Sequence, residues 1–90
     1  MSEDKFRELR NKLDETQSYP SVYMFKFIMD ADNRKIAMVE NLFSENAEIR
    51  TKESGKGNYI SITVQEVMMS TDEIIKIYER ASEIKGVMFL

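Results

Sequence analysis

Lys56-Gly57-Asn58-Tyr59 is the stretch of the chain whose residue types are best suited to binding a ligand. Glycine lets backbone N–H groups approach an anion, so these residues could form a phosphate-binding loop. Their spacing matches neither a P-loop nor a dinucleotide fingerprint, and no helix follows directly. A tight hairpin turn accounts for the same residues by turn chemistry alone. We treat Lys56, Gly57, Asn58 and Tyr59 as candidate binding residues and keep both interpretations open.

Lys26 is the second candidate, because it lies in the middle of an otherwise apolar stretch, residues 22–29. A long cation in such a place can extend its amine to solvent along the surface of a sheet. It can also pair with a carboxylate, such as that of Glu66, or bind an anionic partner. All three roles are compatible with the sequence, so Lys26 joins the candidate binding site.

The residue types that catalyse most reactions are missing from this chain. It has no histidine and no cysteine, which removes the commonest general base, the commonest metal ligand and every thiolate nucleophile. A zinc site would have to consist of carboxylates alone, which is unusual. We therefore expect no enzymatic activity, no catalytic residue, no metal site and no cofactor.

The composition is typical of a small cytoplasmic globular domain. The 90 residues are 42% hydrophobic and 32% charged, with a formal net charge of −3. A mildly acidic surface disfavours binding to nucleic-acid phosphates. A short chain without cysteine favours a reducing compartment, because small secreted domains usually need disulfides. The charged N-terminal segment does not resemble a signal peptide, and the apolar runs are too short to cross a membrane.

The hydrophobic periodicity predicts the elements that carry these candidates, beginning with an amphipathic helix over residues 4–16. Ser2 or Asp4 can cap this helix. Its apolar stripe consists of Phe6, Leu9 and Leu13. Pro20 disfavours helix in the residue before it, so we separate residues 1–18, a helix and connector, from a domain over residues 19–90.

The first strand, residues 21–29, is predicted to be central because both of its faces are largely apolar. One face carries Tyr23, Phe25, Phe27 and Met29, and the other carries Val22, Met24, Lys26 and Ile28. A second helix follows over residues 32–44. Its predicted buried stripe is Ile36, Val39, Leu42 and Phe43.

Three strands and a helix complete the predicted domain. Residues 47–52 form a polar edge strand, and a glycine-containing hairpin loop at 53–58 leads to a third strand at 59–67, with Ile60, Ile62 and Val64 on one face. Ser70 and Glu73 form a capping box for a helix that runs to about residue 85. Gly86 ends this helix, and residues 87–90 form a short last strand.

The order β-α-β-β-α-β with right-handed crossovers predicts an α+β, ferredoxin-like sandwich. Its four-stranded antiparallel sheet has the first and third strands in the middle and two helices on one face, and the N-terminal helix is an addition. RNA-recognition domains share this fold, but they need aromatic side chains on the third strand for base stacking. Asn58 and Ile60 stand where those aromatics are needed, so RNA binding is only the alternative function.

Several residues from Tyr19 onward form a recognisable pattern. They are Tyr19, Pro20, Tyr23, Lys26, Lys56, Gly57, Asn58, Tyr59, Ser61, Ile77, Tyr78, Glu79 and Ile84. In these residues the chain resembles the YbeD-like bacterial family of unknown function. That family looks like ACT regulatory domains in fold, which implies small-molecule sensing or protein docking without catalysis. Ile60 departs from the polar residue expected there, and residues 30–33 lack the glycine with which ACT domains admit an amino acid.

We therefore predict a non-enzymatic regulatory or interaction domain of the ACT-like type, acting through small-molecule sensing or protein docking. The alternative function is weak RNA binding by Lys26, Arg50, Lys52 and Lys56. Two helices can cover only one face of the sheet, so the other face needs a cover. We predict a homodimer in which the leading helix, through Phe6, Leu9 and Leu13, helps to cover it.

Overall fold

The computed structural model describes residues 5–90, in which three helices and four strands follow in the predicted order. Their bounds are α1 Arg7–Thr16, β1 Ser21–Asp30, α2 Asn33–Glu40, β2 Glu48–Glu53, β3 Tyr59–Met68, α3 Thr71–Ser82 and β4 Met88–Phe89. Ser2 and Asp4, the predicted caps of the leading helix, lie outside the described residues.

The strands form one antiparallel sheet in the order β2-β3-β1-β4. The central pair is the longest, because all ten residues of β1 lie opposite β3, from Ser21 opposite Met68 to Asp30 opposite Tyr59. β4 pairs only with Phe27 and Ile28. The ferredoxin-like α+β fold is thus confirmed, with the first and third strands in the middle.

The core lies on the face of the sheet that carries the aromatic side chains of β1. Phe25 and Phe27 are completely buried there, and the ring of Phe25 lies 5.1 Å from that of Phe43 and 5.4 Å from that of Tyr78. β3 contributes Ile60, Ile62 and Val64 to the same cluster. Because successive side chains of a strand point to opposite faces, the even-numbered residues of β1 are left on the side away from the helices.

α1 packs on the helical side of the sheet, beside α3. Leu13 is buried, the ring of Phe6 lies 5.8 Å from that of Tyr78, and Arg10 forms an ion pair with Asp72. The apolar stripe of α1 therefore packs on this domain's own core. The prediction that this helix covers the other face of the sheet is wrong, whereas the homodimer itself stays a prediction.

The ends of the other two helices follow from their local hydrogen bonds. α3 begins with the predicted capping box, in which the Glu73 N–H donates to the Ser70 hydroxyl at 3.2 Å and the Glu73 carboxylate accepts from the Met69 N–H at 2.9 Å. α2 ends four residues earlier than predicted, because the next turn tightens. There the Leu42 and Phe43 N–H groups bond three residues back, as in a 3₁₀ turn.

Candidate functional site

We define the open face as the side of the sheet opposite to the core. It is composed of Val22, Met24, Lys26 and Ile28 from β1, Tyr59, Ser61, Thr63, Gln65 and Val67 from β3, Glu48, Arg50 and Lys52 from β2, and Met88 and Leu90 at β4. The helices within residues 5–90 contribute their buried residues to the opposite face. Within residues 5–90, the helices therefore leave the open face uncovered.

The β1 and β4 half of the open face is mainly apolar. Val22 is 61% exposed, Met24 48%, Met88 59% and Leu90 69%. Val22 lies opposite Val67, which is 53% exposed. Single apolar residues are ordinary at a protein surface, but here five of them share one face of the sheet.

The β2 and β3 half of the open face is polar and carries most of its charge. Lys26 lies opposite Thr63, which lies opposite Arg50 on the next strand. Strands are about 4.8 Å apart, so the backbones at Lys26 and Arg50 are separated by about 10 Å. Lys52 lies about 7 Å further along β2. The register therefore brings three cations from two regions of the sequence onto one surface.

The position of Lys26 in the sheet excludes one of its three predicted roles, pairing with Glu66. Its side chain is exposed on the open face, whereas Glu66 lies on the opposite, core face and bonds to the hydroxyl and the backbone N–H of Ser44. Pairing of Lys26 with Glu66 is therefore ruled out. The other two roles, extension into solvent and binding of an anionic partner, stay predictions.

The candidates Lys56, Gly57 and Asn58 lie in the hairpin between β2 and β3, beyond the end of the sheet. Gly57 has a φ of +71°, and its N–H donates to the Ser54 carbonyl at 2.9 Å. The turn thus consumes one of the N–H groups that a phosphate would need. Gly57 serves as a turn residue here, and an additional binding role of the hairpin stays a prediction.

Tyr59 is the only hairpin-side candidate that faces the same surface as Lys26. It is 54% exposed and borders a shallow depression of about 240 Å³ with Ile28, Lys52 and Ser61. Tyr59 lies opposite Asp30, four residues along β1 from Lys26, which corresponds to about 13 Å. The five candidates therefore do not form one compact pocket.

The fold changes the ionisation of Tyr78. Burial first, and then the hydrogen bond and charge interaction with Tyr23, raise the pKa of Tyr78 well above its usual range. The two hydroxyl oxygens are 3.2 Å apart, and a second internal bond joins Tyr19 to Thr71 at 2.9 Å. Both contacts join β1, or the connector before it, to α3, so they fix the helix on the sheet.

Two further properties concern cations and membranes. Nowhere in residues 5–90 do three acidic, histidine or cysteine side chains come together as a metal ion requires. In the same part of the chain, the helices are too short and too polar to span a bilayer.

The sequence interpretation missed Val67, Met88 and Leu90 as members of the open face. The alternation of β3 indicates Val67, but only the pairing with β1 assigns Met88 and Leu90.

Comparison with known proteins identifies the family but no activity. The model of the family described as "Protein of unknown function (DUF493)" matches residues 14–90. A UPF0250 protein of Shewanella piezotolerans is 34% identical over 83 residues, which cover 88% of this chain and 94% of that protein. The corresponding protein of Shewanella halifaxensis is 32% identical over the same coverage. No solved structure matches significantly. The resemblance to the YbeD-like family is confirmed, and the chain belongs to the DUF493 family of proteins of unknown function.

Proposed function

We propose that this protein is a non-enzymatic interaction domain, and that it binds a protein partner through the open face of its sheet. The observation that carries the proposal is the group of exposed apolar side chains there, Val22, Met24, Met88 and Leu90, each about half exposed or more. Burial of such a group against a partner is favourable by about 25 cal/mol for each Å² removed from water.

Three features support binding rather than catalysis. The chain lacks histidine and cysteine. Tyr78, with its strongly raised pKa, is 94% buried in the core cluster and has no access to a substrate. The surface depressions formed by the described residues, such as the one beside Tyr59, are shallow, which favours protein docking over small-molecule sensing. A reducing cytoplasm suits a chain that uses no disulfide.

Photo-crosslinking at matched positions tests this proposal. Met24 on the open face and Met38 on α2 are the same residue type and are equally exposed, at 48% and 49%. p-Benzoylphenylalanine in place of Met24 is expected to give a discrete covalent adduct with another protein in the native cell, and the same group in place of Met38 is not.

The captured protein is then purified and its affinity measured directly. Val22→Asp should weaken binding at least tenfold, because it places a charge inside the apolar contact, while Met38→Asp should not change it. Equal adduct yields at the two positions, or no adduct from position 24, would show that the open face is not the docking surface.

RNA binding is the second candidate, and the alignment of Lys26, Arg50 and Lys52 on one sheet face favours it. The positions that would stack bases in the middle of the open face are occupied by Met24, Ser61 and Thr63, however, and the only aromatic of this face is Tyr59 at its end. Salt-dependent retardation of labelled single-stranded RNA would support this candidate, and no retardation at low salt would exclude it.

A further inference from the structure

The charge of the open face differs in sign from the charge of the whole chain. The chain has a formal net charge of −3, yet the open face carries Lys26, Arg50 and Lys52 against the carboxylates of Glu48 and, at the end of β1, Asp30. Asp30, at the end of β1, is paired with Lys35 at 3.3 Å. The fold therefore concentrates positive charge on the one face that no described helix covers.

Two of these cations are not neutralised by the described part of the chain. Lys26 and Lys52 have no ion-pair partner within residues 5–90, and Arg50 pairs with Glu48 at 2.9 Å. The Arg50 and Glu48 side chains are 77% and 59% exposed, and exposed pairs of this kind contribute little and exchange readily. The backbones at the three cations are about 7 to 12 Å apart. These distances are close to the Debye length at physiological salt, so the cations act together on an approaching anion.

The positive and the apolar regions adjoin each other. Lys26 separates Met24 from Ile28 along β1, and the Leu90 N–H donates to the Lys26 carbonyl at 3.0 Å. A ligand that covers the apolar half of the face must therefore lie next to the Lys26 amine, with Arg50 two strands away.

We propose that the occupant of the open face is an acidic amphipathic segment of another protein. Its apolar side chains would cover Val22, Met24, Met88 and Leu90, and its carboxylates would reach Lys26, Arg50 and Lys52. This inference rests on the proposed docking function and specifies the chemistry of the partner. It follows from charge complementarity, which governs partner choice and association rate more than total affinity.

The same charges disfavour the two other occupants. A second copy, packed face to face at about 10 Å, would bring two faces of net positive charge together, and like-charge contact across an interface is costly. RNA would satisfy the cations but would leave Val22, Met24, Met88 and Leu90 against a polar backbone, without aromatic rings for stacking.

Selection from a random library of 16-residue peptides displayed on phage, against the immobilised full chain, tests the proposal. The expected result is enrichment of peptides that combine aspartate or glutamate with regularly spaced apolar residues. The best peptide, made synthetically, should bind the chain in fluorescence anisotropy, and its affinity should fall as salt is raised from 0.05 to 0.5 M.

Matched charge variants assign the effect to the open face. Lys26→Gln/Lys52→Gln removes two exposed charge pairs, each of which contributes about two- to fivefold to the affinity. The double variant should therefore bind the peptide about fourfold or more weakly. Lys12→Gln/Lys76→Gln removes the same charge from exposed positions on α1 and α3 and should leave the affinity unchanged. Equal losses in the two double variants would overturn the proposal.

Other outcomes identify the competing occupants. Enrichment of neutral or basic peptides, or no enrichment at all, would overturn the acidic segment. So would tight binding of a random RNA pool that requires Lys26 and Lys52. A dimer in sedimentation at micromolar concentration that Met24→Glu dissociates would assign the face to a second copy. If crosslinking from position 24 succeeds and the selected peptides are not acidic, the docking function stands and only this inference fails.

Discussion

Gly55 and Gly57 lie two residues apart in the hairpin between β2 and β3, but an alanine at each should change stability in opposite directions. Gly57 has a φ of +71°, in the left-handed region, and Gly55 does not have a positive φ. A Cβ at either position would meet no atom within 4 Å. Side-chain crowding is therefore absent at both sites, and only the backbone conformation distinguishes them.

The magnitudes follow from two opposing effects. A left-handed conformation costs an L-residue about 1–2 kcal/mol, and replacing glycine by alanine stabilises a protein by about 0.4–1 kcal/mol through the unfolded chain. Gly57→Ala should therefore lower the free energy of unfolding by about 0.5–1 kcal/mol, and Gly55→Ala should raise it by about 0.4–1 kcal/mol. Gly57→Val should cost more than Gly57→Ala, roughly 1 kcal/mol or more, because a β-branched residue tolerates this region least.

Thermal unfolding followed by far-UV circular dichroism measures the difference. In a domain of this size about 1 kcal/mol corresponds to a shift of about 4–8 °C in Tm, so the Tm values of the two alanine variants should straddle that of the wild type. Gly57→Asn should lose less than Gly57→Ala, since asparagine accepts the left-handed region more easily. Shifts of the same sign and size at positions 55 and 57 would refute the reasoning.

Three further outcomes are expected from the core and its helices. Because the folded-state pKa of Tyr78 is raised, its contribution to stability should be complete below pH 10, the unfolded value, and should fall above it by about 1.4 kcal/mol per pH unit. Urea unfolding at a series of pH values gives the free energy of unfolding of the wild type and of Tyr78→Phe as a function of pH. The two curves should run parallel up to pH 10 and diverge only above it, and a divergence that begins at lower pH would contradict the assignment. Leu13→Ala should cost about 2–4 kcal/mol in urea unfolding, since Leu13 is 4% exposed, whereas a value near zero would mean that α1 does not belong to the core. Ser70→Ala should cost about 1 kcal/mol through loss of the α3 cap, and Ser70→Asp should retain most of the stability if the cap is responsible.

The alternation of the strands predicts which residues share a face but not which face of β1 is buried. Both faces of β1 are apolar, so hydropathy alone could assign the core to either set. The structure selects the set with Phe25 and Phe27. Aromatic rings bury more area than aliphatic side chains, and this property favours the aromatic set as the core face.

The location of α1 depends on contacts between residues distant in the sequence. Its apolar stripe was predictable from the spacing of Phe6, Leu9 and Leu13, but a stripe does not indicate which surface it will contact. The ion pair between Arg10 and Asp72 joins residues 62 positions apart, and nothing in residues 4–16 identifies such a partner.

The candidate site was predictable residue by residue but not as a surface. Lys26, Arg50 and Lys52 were each recognisable as cations on strands. Alternation places Arg50 and Lys52 on one face of β2, but only the register, with Lys26 opposite Thr63 and Thr63 opposite Arg50, places Lys26 on the same face. A shift of one residue would have moved one set to the core side, and the same parity separates Lys26 from Glu66.

The position of β1 in the chain has a consequence for its biosynthesis. Both strands that pair with it, β3 and β4, come later in the sequence. At about 5–20 residues per second, roughly 2 to 8 s pass between synthesis of Asp30 and of Met68, the ends of the central pair. Until β3 has been made, the mainly apolar residues 21–29 have no partner strand, and exposed segments of this kind are prone to aggregate. Lys26 is the only charged residue in residues 21–29, so it interrupts this segment as a gatekeeper while the rest of the sheet is made.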